Sequence, residues 1–267
     1  METVHTSSKP PMSRDELRDV VDLALWAGQL LMNSGADSKR VEEVVHRIGT
    51  GLGCDWMDIL VSSNTIIAST VSNGEFRTKV RRVVGFGVNM SVFAATNDLR
   101  YRVESGELDR FTLREELERL SNLSPQYSRW VVVITVGLSC AAFSRLFHGD
   151  WPVFFMTFLA SSIAMFVRQE MKHRYFNDFL IVIVTAFVAT LIAGLTAVLQ
   201  LSDEPSIALA SSVLLLVPGV PLINSAEDLL QGHFIMGIAR SILGGIIALC
   251  IALGLSLAIQ LLGINGL

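Results

Sequence analysis

Charge is spread so unevenly along this chain that no single type of fold accommodates it. Residues 1–129 hold 16 Lys/Arg and 18 Asp/Glu, whereas residues 130–267 hold only 5 and 7. The change falls near Pro125. The second half contains five apolar stretches, roughly Trp130–Phe147, Trp151–Val167, Phe179–Leu201, Ser206–Ile223 and Ile235–Leu262. A bilayer core about 30 Å thick takes about 20 helical residues, within a range of about 17–25. Short runs draw on flanking residues and a long one tilts. The sequence therefore predicts a soluble domain over 1–128 and a five-helix membrane domain over 129–267. Basic residues set the orientation. Arg129, Arg168, Lys172, Arg174 and Arg240 fall at one set of ends, and Arg145 alone falls at the other. The N-terminal domain is thus expected in the cytoplasm and Leu267 outside. Met1–Pro11 lacks the apolar core of a secretory signal.

Several function classes drop out early. A formal charge of −4 argues against a nucleic-acid partner. Cys54, Cys140 and Cys250 are an odd, widely spaced set, two of them in apolar runs, which supports neither a disulfide framework nor a zinc cluster.

The first half carries the pattern of a small α+β domain of order α-α-β-β-β-α-α. Ser13 and Glu16 form a capping box, and Leu17, Val20, Val21, Ala24, Gly28 and Leu31 follow as a helical stripe ending near Gly35. Val41, Val44, Val45, Ile48 and Leu52 mark a second helix. Asp55–Ser62, Asn64–Val71 and the basic Glu75–Val83 read as strands, with a hairpin turn at Asn73-Gly74. Ser91–Glu104 reads as a helix, and Thr112 with Glu115 as the capping box of another through Ser121. Catalytic constellations are scarce here. Gly49, Gly51 and Gly53 follow a helix rather than a strand, so they fail the context of a dinucleotide loop. His46 has no second ligand at i+4, Ser62-Ser63-Asn64 reads as a polar turn, and Lys79, Arg81 and Arg82 read as a solvated strand face.

In the second half, Ser206–Val217 makes a helix of only about 18 Å before Val217-Pro218-Gly219-Val220-Pro221 interrupts it. Broken backbone at membrane depth persists only inside protein or beside a wet cavity. Leu222–Gln231 would form a second half-helix with Pro221 in its first turn. A half-helix N-terminus at Pro218, Gly219 and Pro221 suits an anionic group, and such helices form sites in secondary transporters. Asn224 and Asp228 share a face at i, i+4. Asn224 would donate to a substrate oxygen, while Asp228 would carry a proton or fix an arginine. Arg168 and Arg240 are the candidates for that pairing or for direct carboxylate binding. The alternative from spacing alone is a helix ending at Pro218 and an ordinary loop over 224–233. Gly237, Ser241 and Gly245, and also Gly244, Ala248, Ala252 and Ser256, form small-residue faces for close helix approach, as do Gly137 with Ala141 and Ala160 with Ala164. Ser139, Ser161 and Ser162 either line a polar path or satisfy a carbonyl one turn back.

The run Leu214–Asn224, with Asp228, Gly232, Gly237 and Arg240, resembles the threonine/serine exporter family. The resemblance continues through Gly35-Ala36-Asp37-Ser38, Ser62-Ser63-Asn64, Gly137-Leu138-Ser139-Cys140 and Met165-Phe166-Val167-Arg168. It implies a cytoplasmic domain followed by a bacterial inner-membrane domain, and export of small carboxylates or hydroxy-amino acids. In fused members a second set of helices follows. Here that set is expected from a smaller, separate membrane partner, as in the split type associated with succinate export. No cofactor is implied.

The sequence reading is therefore a hetero-oligomeric exporter component and not an enzyme, with succinate first and threonine/serine second as substrate. Its proposed substrate residues are Arg168, Pro218, Gly219, Pro221, Asn224, Asp228, Arg240 and Ser139. Two readings compete with it. One is a membrane-anchored enzyme or sensor acting through residues 1–128. The other is a purely structural subunit whose partner alone transports.

Overall fold

A computed structural model describes residues 12–72, 75–85, 87–123 and 127–264. The Asn73-Gly74 turn, Met1–Pro11, Pro125 and Leu267 lie outside the described residues. Contacts divide the chain into two compact units, residues 1–124 with 220–241, and residues 125–219 with 242–267.

The first unit opens with α1 (Arg14–Asn33), whose Ser13/Glu16 box is formed as expected. Its inward stripe includes Leu17, Val20, Val21, Ala24 and Leu31, all at most 1% exposed. Helix α2 (Ser38–Gly51) starts where Asp37 accepts the Arg40 amide. Strands β1 (Trp56–Ser62), β2 (Thr65–Ser72) and β3 (Glu75–Arg82) form one antiparallel sheet in sequence order. The Ser62–Thr65 pair closes the β1–β2 hairpin around Ser63-Asn64. Helices α3 (Met90–Glu104) and α4 (Arg110–Ser121) complete the expected α-α-β-β-β-α-α order.

Two local expectations change. Helix α4 is capped by Asp109, with Thr112 as its reciprocal partner, rather than by Thr112 with Glu115. The start moves one turn earlier because Asp109 accepts both the Phe111 and Thr112 amides. Lys79 and Arg81 do not form a solvated face. Their strand side packs on α1, where Lys79 pairs with Asp22 and Arg81 donates to Gln29 Oε1 at 2.7 Å. The glycines of α2 pack closely. A Cβ on Gly49 would strike the Met57 side chain, and one on Gly51 would lie 2.8 Å from Val103. His46 has a structural contact, its Nδ1 lying 2.9 Å from the Met57 carbonyl oxygen.

The second unit is helical. Helix α5 spans Arg129–Leu146, α6 Trp151–His173, and α7 Asp178–Ala193 with a short α8 at Leu195–Val198. Helix α9 (Pro205–Ser212) runs into a 3-10 turn at Leu214–Leu216. Helix α10 spans Gly219–Leu230 and α11 spans Phe234–Leu262, of which residues 220–241 belong to the first unit. Among the described residues, four helices can cross a membrane by length and composition, namely α5, α6, Asp178–Val198 and α11. There are five if the bent pair Pro205–Leu216 and Gly219–Leu230 counts as one span. Helix α6 outruns its apolar stretch by about a turn and a half, because Arg168–His173 keep good helix formers in register after hydropathy falls. The third stretch passes Gly194, whose backbone stays helical at φ −65°, ψ −20°, and ends at Val198 instead of running to Leu201.

Close helix approach follows the small residues in part. Ala141, Ala160 and Ala164 are fully buried, and a Cβ on Gly137 would overlap Ser162. On α11 the buried residues are Met236, Gly237, Arg240, Gly244, Cys250, Gly254 and Ala258, while Ser241 and Gly245, expected to share a face with Gly237, are exposed. Ala248, Ala252 and Ser256, expected to share a face with Gly244, are exposed.

Candidate functional site

The α1–α2 loop fixes the geometry of the site. Gly35 sits at φ +97°, where a side chain would be strained. The Ala36 amide returns to the Leu31 carbonyl at 3.1 Å, closing the end of α1. Asn89 N–H and Gly87 N–H donate to Ser34 and Asn33 carbonyls at 3.2 and 3.1 Å. The loop therefore presents the Gly35 and Ala36 carbonyls and the Ser38 amide in fixed positions.

Three sequence candidates meet this loop within the first unit. Asn224 Nδ2 donates to the Gly35 carbonyl at 2.7 Å. Arg240 Nη2 donates to the Ala36 carbonyl at 2.8 Å. Asp228 Oδ1 accepts the Ser38 amide at 2.9 Å. Asp228 Oδ2 lies 3.0 Å from Arg240 Nη1. The i, i+4 spacing of Asn224 and Asp228 on α10 puts both on the face that meets the loop. Asp228 is 0% exposed and Arg240 6%, so the ion pair is shielded from solvent. Helix α10 excludes the loop reading of residues 224–230. It is joined to α11 through Gly232 at φ +87°. Ser225 Oγ ties the two helices by donating to the Gly237 carbonyl at 2.8 Å.

The other candidates have separate surroundings. Val217 is extended at φ −59°, ψ 124°, which confirms the break before Pro218. Gly219 N–H donates to the Val217 carbonyl at 2.9 Å, and Pro221 sits in the first turn of α10. Arg168 Nη1 donates to the Leu215 carbonyl at 3.1 Å. That carbonyl belongs to the 3-10 turn at the interruption, where helical partners are lost. Ser139 Oγ returns to the Thr135 carbonyl at 2.8 Å, the local bond that competes with a pore-lining role.

Sequence reasoning missed Glu42 and His233. Their side chains approach at 3.6 Å. Burial pushes the Glu42 carboxyl up, against the pull of His233 and the Val61 amide, and the Asp228 charge adds to the rise. A carboxyl raised in the folded chain contributes stability that is fully present below its unfolded value, ordinarily 4.5, and lost as pH rises through the folded value. Glu42→Gln is therefore expected to melt progressively higher relative to the parent as pH is raised from about 4.5 to 7.5. A relative melting temperature that falls over that range contradicts the burial account. Among the described residues no cluster of three or more His, Cys, Asp or Glu is placed to hold a metal.

Comparison with known proteins adds a second line of findings. The model of a family described as putative threonine/serine exporter matches residues 22–262. The probable succinate transporter subunit YjjP of Klebsiella aerogenes is 38% identical over 255 residues, which covers 95% of this chain and 98% of that protein. The protein of the same description from Escherichia coli (strain K12) is 36% identical over 258 residues, covering 96% and 99%. A threonine/serine exporter of Corynebacterium glutamicum is 24% identical over 258 residues, covering 92% of this chain and 52% of that protein. No solved structure matches the chain.

Proposed function

Since the chain belongs to the threonine/serine exporter family, we propose that it is one subunit of a two-protein bacterial inner-membrane exporter of small carboxylates, succinate first. The observation that carries the reading is near full-length similarity to two proteins named as succinate transporter subunits. The second subunit would be a smaller YjjB-like membrane protein. In this reading residues 1–128 form the cytoplasmic part and residues 129–267 the transmembrane part, with the C-terminus periplasmic. The substrate path uses Arg240, Asp228 and Asn224, together with Arg168, Ser139 and the interruption at Pro218, Gly219 and Pro221.

The chemistry supports a carboxylate cargo. Arg240 is a buried guanidinium already matched to a carboxylate, and guanidinium–carboxylate pairing is strong where water is excluded. Threonine or serine export is the second reading, favoured by the Corynebacterium glutamicum relative. Both cargoes carry a carboxylate, and their discrimination would rest on one or two further polar contacts.

Whole-cell export at matched expression tests the residues. Asp228→Asn and Arg168→Gln are each expected to lower succinate export about tenfold or more, equivalent to about 1.4 kcal/mol of lost stabilisation. Export at the parental rate in both variants removes these residues from the path. Reconstitution of the chain with its partner, assayed in parallel with labelled succinate and labelled threonine, decides between the cargoes.

A further inference from the structure

The first amides of an α-helix have no partner within the helix, and the helix dipole makes that end favourable to negative charge. At the start of α2, Asp37 takes the Arg40 amide. The Ser38 amide is taken by Asp228, which lies 190 residues further along the chain. The same carboxylate faces Arg240, whose other nitrogen is anchored on the Ala36 carbonyl. An amide at a helix start and an anchored guanidinium thus converge on one carboxylate, away from solvent.

The cluster also holds unused bonding capacity. Ser38 Oγ is buried without a hydrogen-bond partner, whereas Asp228 Oδ2 and Arg240 Nη1 are held to each other only as an ion pair at 3.0 Å. Buried polar atoms are ordinarily satisfied. A cluster that seats a carboxylate and still leaves the buried Ser38 hydroxyl unsatisfied is not fully used by its present occupant.

We propose that the Ser38 amide and the Arg240 guanidinium form a carboxylate receptor, which Asp228 fills from within the chain and from which a substrate carboxylate displaces it. The displacement rests on the carboxylate-export reading above, whereas the receptor stands on the geometry alone. Exchange of one carboxylate for another keeps Arg240 paired throughout, which avoids a stranded buried charge. The displaced Asp228 must then reach water or take up a proton. Helix α10 is bracketed for such a step by the Pro218 interruption and by Gly232 in the left-handed region. In this scheme Asp228 holds the site ready rather than binding cargo itself.

The test uses the full chain co-purified with its partner. In Asp228→Ala the receptor is emptied. Formate or acetate at about 100 mM is expected to raise its melting temperature by about 3 °C or more over equimolar chloride, with no such shift in the parent. The absence of a carboxylate-specific shift overturns the receptor. Should Asp228→Ala fail to fold, Ser38→Pro supplies the test. Ser38 is the first helical residue, where proline is tolerated, and Asp37 at φ −71°, ψ 163° suits a residue preceding proline. This change deletes the Ser38 amide together with the Ser38 hydroxyl and is expected to raise the KM for succinate severalfold with kcat little changed. An unchanged KM overturns the proposal. For displacement, succinate is expected to accelerate hydrogen exchange over residues 36–40 of the parent. Unaltered exchange in a preparation that exports succinate normally overturns the displacement and leaves the export reading standing. Carboxylate rescue of Asp228→Ala, alongside a parental chain with its partner that exports no succinate, supports the receptor and overturns the export reading instead.

Discussion

Arg240→Met is expected to destabilise the chain by about 3–5 kcal/mol, the usual cost of removing one partner from a buried ion pair. Asp228 is wholly buried, so its charge would lose Arg240 and keep only the Ser38 amide. The Ala36 carbonyl would lose its donor as well. Most of the effect is the penalty of stranding Asp228, not the worth of the pair. The double variant Arg240→Met/Asp228→Leu, which removes both charges, is therefore expected to recover a large part of the loss. Thermal or denaturant unfolding of the four members of the cycle measures this. Single-variant costs that simply add in the double variant would mean that the two side chains do not interact.

The second large effect concerns the helical unit. A Cβ on Gly254 would press on the Ile183 carbonyl oxygen and lie 2.8 Å from the Ala186 Cβ and 2.9 Å from the Phe187 amide nitrogen. Two of these atoms are backbone of α7, so no rotamer change relieves the overlap. Gly254→Leu must push α7 and α11 apart, and is expected to cost at least the upper end of the about 1–3 kcal/mol typical of overpacking. Gly245→Leu is the control, since nothing lies within 4 Å of a Cβ there. Comparable melting temperatures for the two variants would show that the α7–α11 contact is dispensable.

Much of the architecture was legible because local rules and burial agree. Ser13 with Glu16, the β-rich runs on either side of Ser63-Asn64, and the five apolar stretches each point to the element observed. The failures share a cause. Helix ends obey backbone bonding rather than hydropathy, so α6 passes Val167, and α4 begins where Asp109 finds amides to accept. Lys79 and Arg81 look solvent-bound in a strand pattern, and only the third dimension supplies Asp22 and Gln29 on α1.

The site was legible in its members but not in its arrangement. The i, i+4 pair Asn224/Asp228 and the lone charge of Arg240 in an apolar run both announce themselves. Their counterparts in the α1–α2 loop are main-chain atoms, the Gly35 and Ala36 carbonyls and the Ser38 amide, which no side-chain pattern encodes. Glu42 sits on a charged helix where nothing in its spacing distinguishes it, and its perturbation arises from burial and from Asp228, far off in sequence.

The first unit is discontinuous, since residues 125–219 belong to the other unit. At about 5–20 residues per second of translation, this excursion of about 95 residues lasts roughly 5–20 s. For that interval the emerged N-terminal portion lacks Met236 from its core and Asp228 at the start of α2. A ribosome therefore delivers α5 through α9 before it delivers the pieces that finish the domain it began with, so maturation of that domain is timed by the helices threaded between its parts.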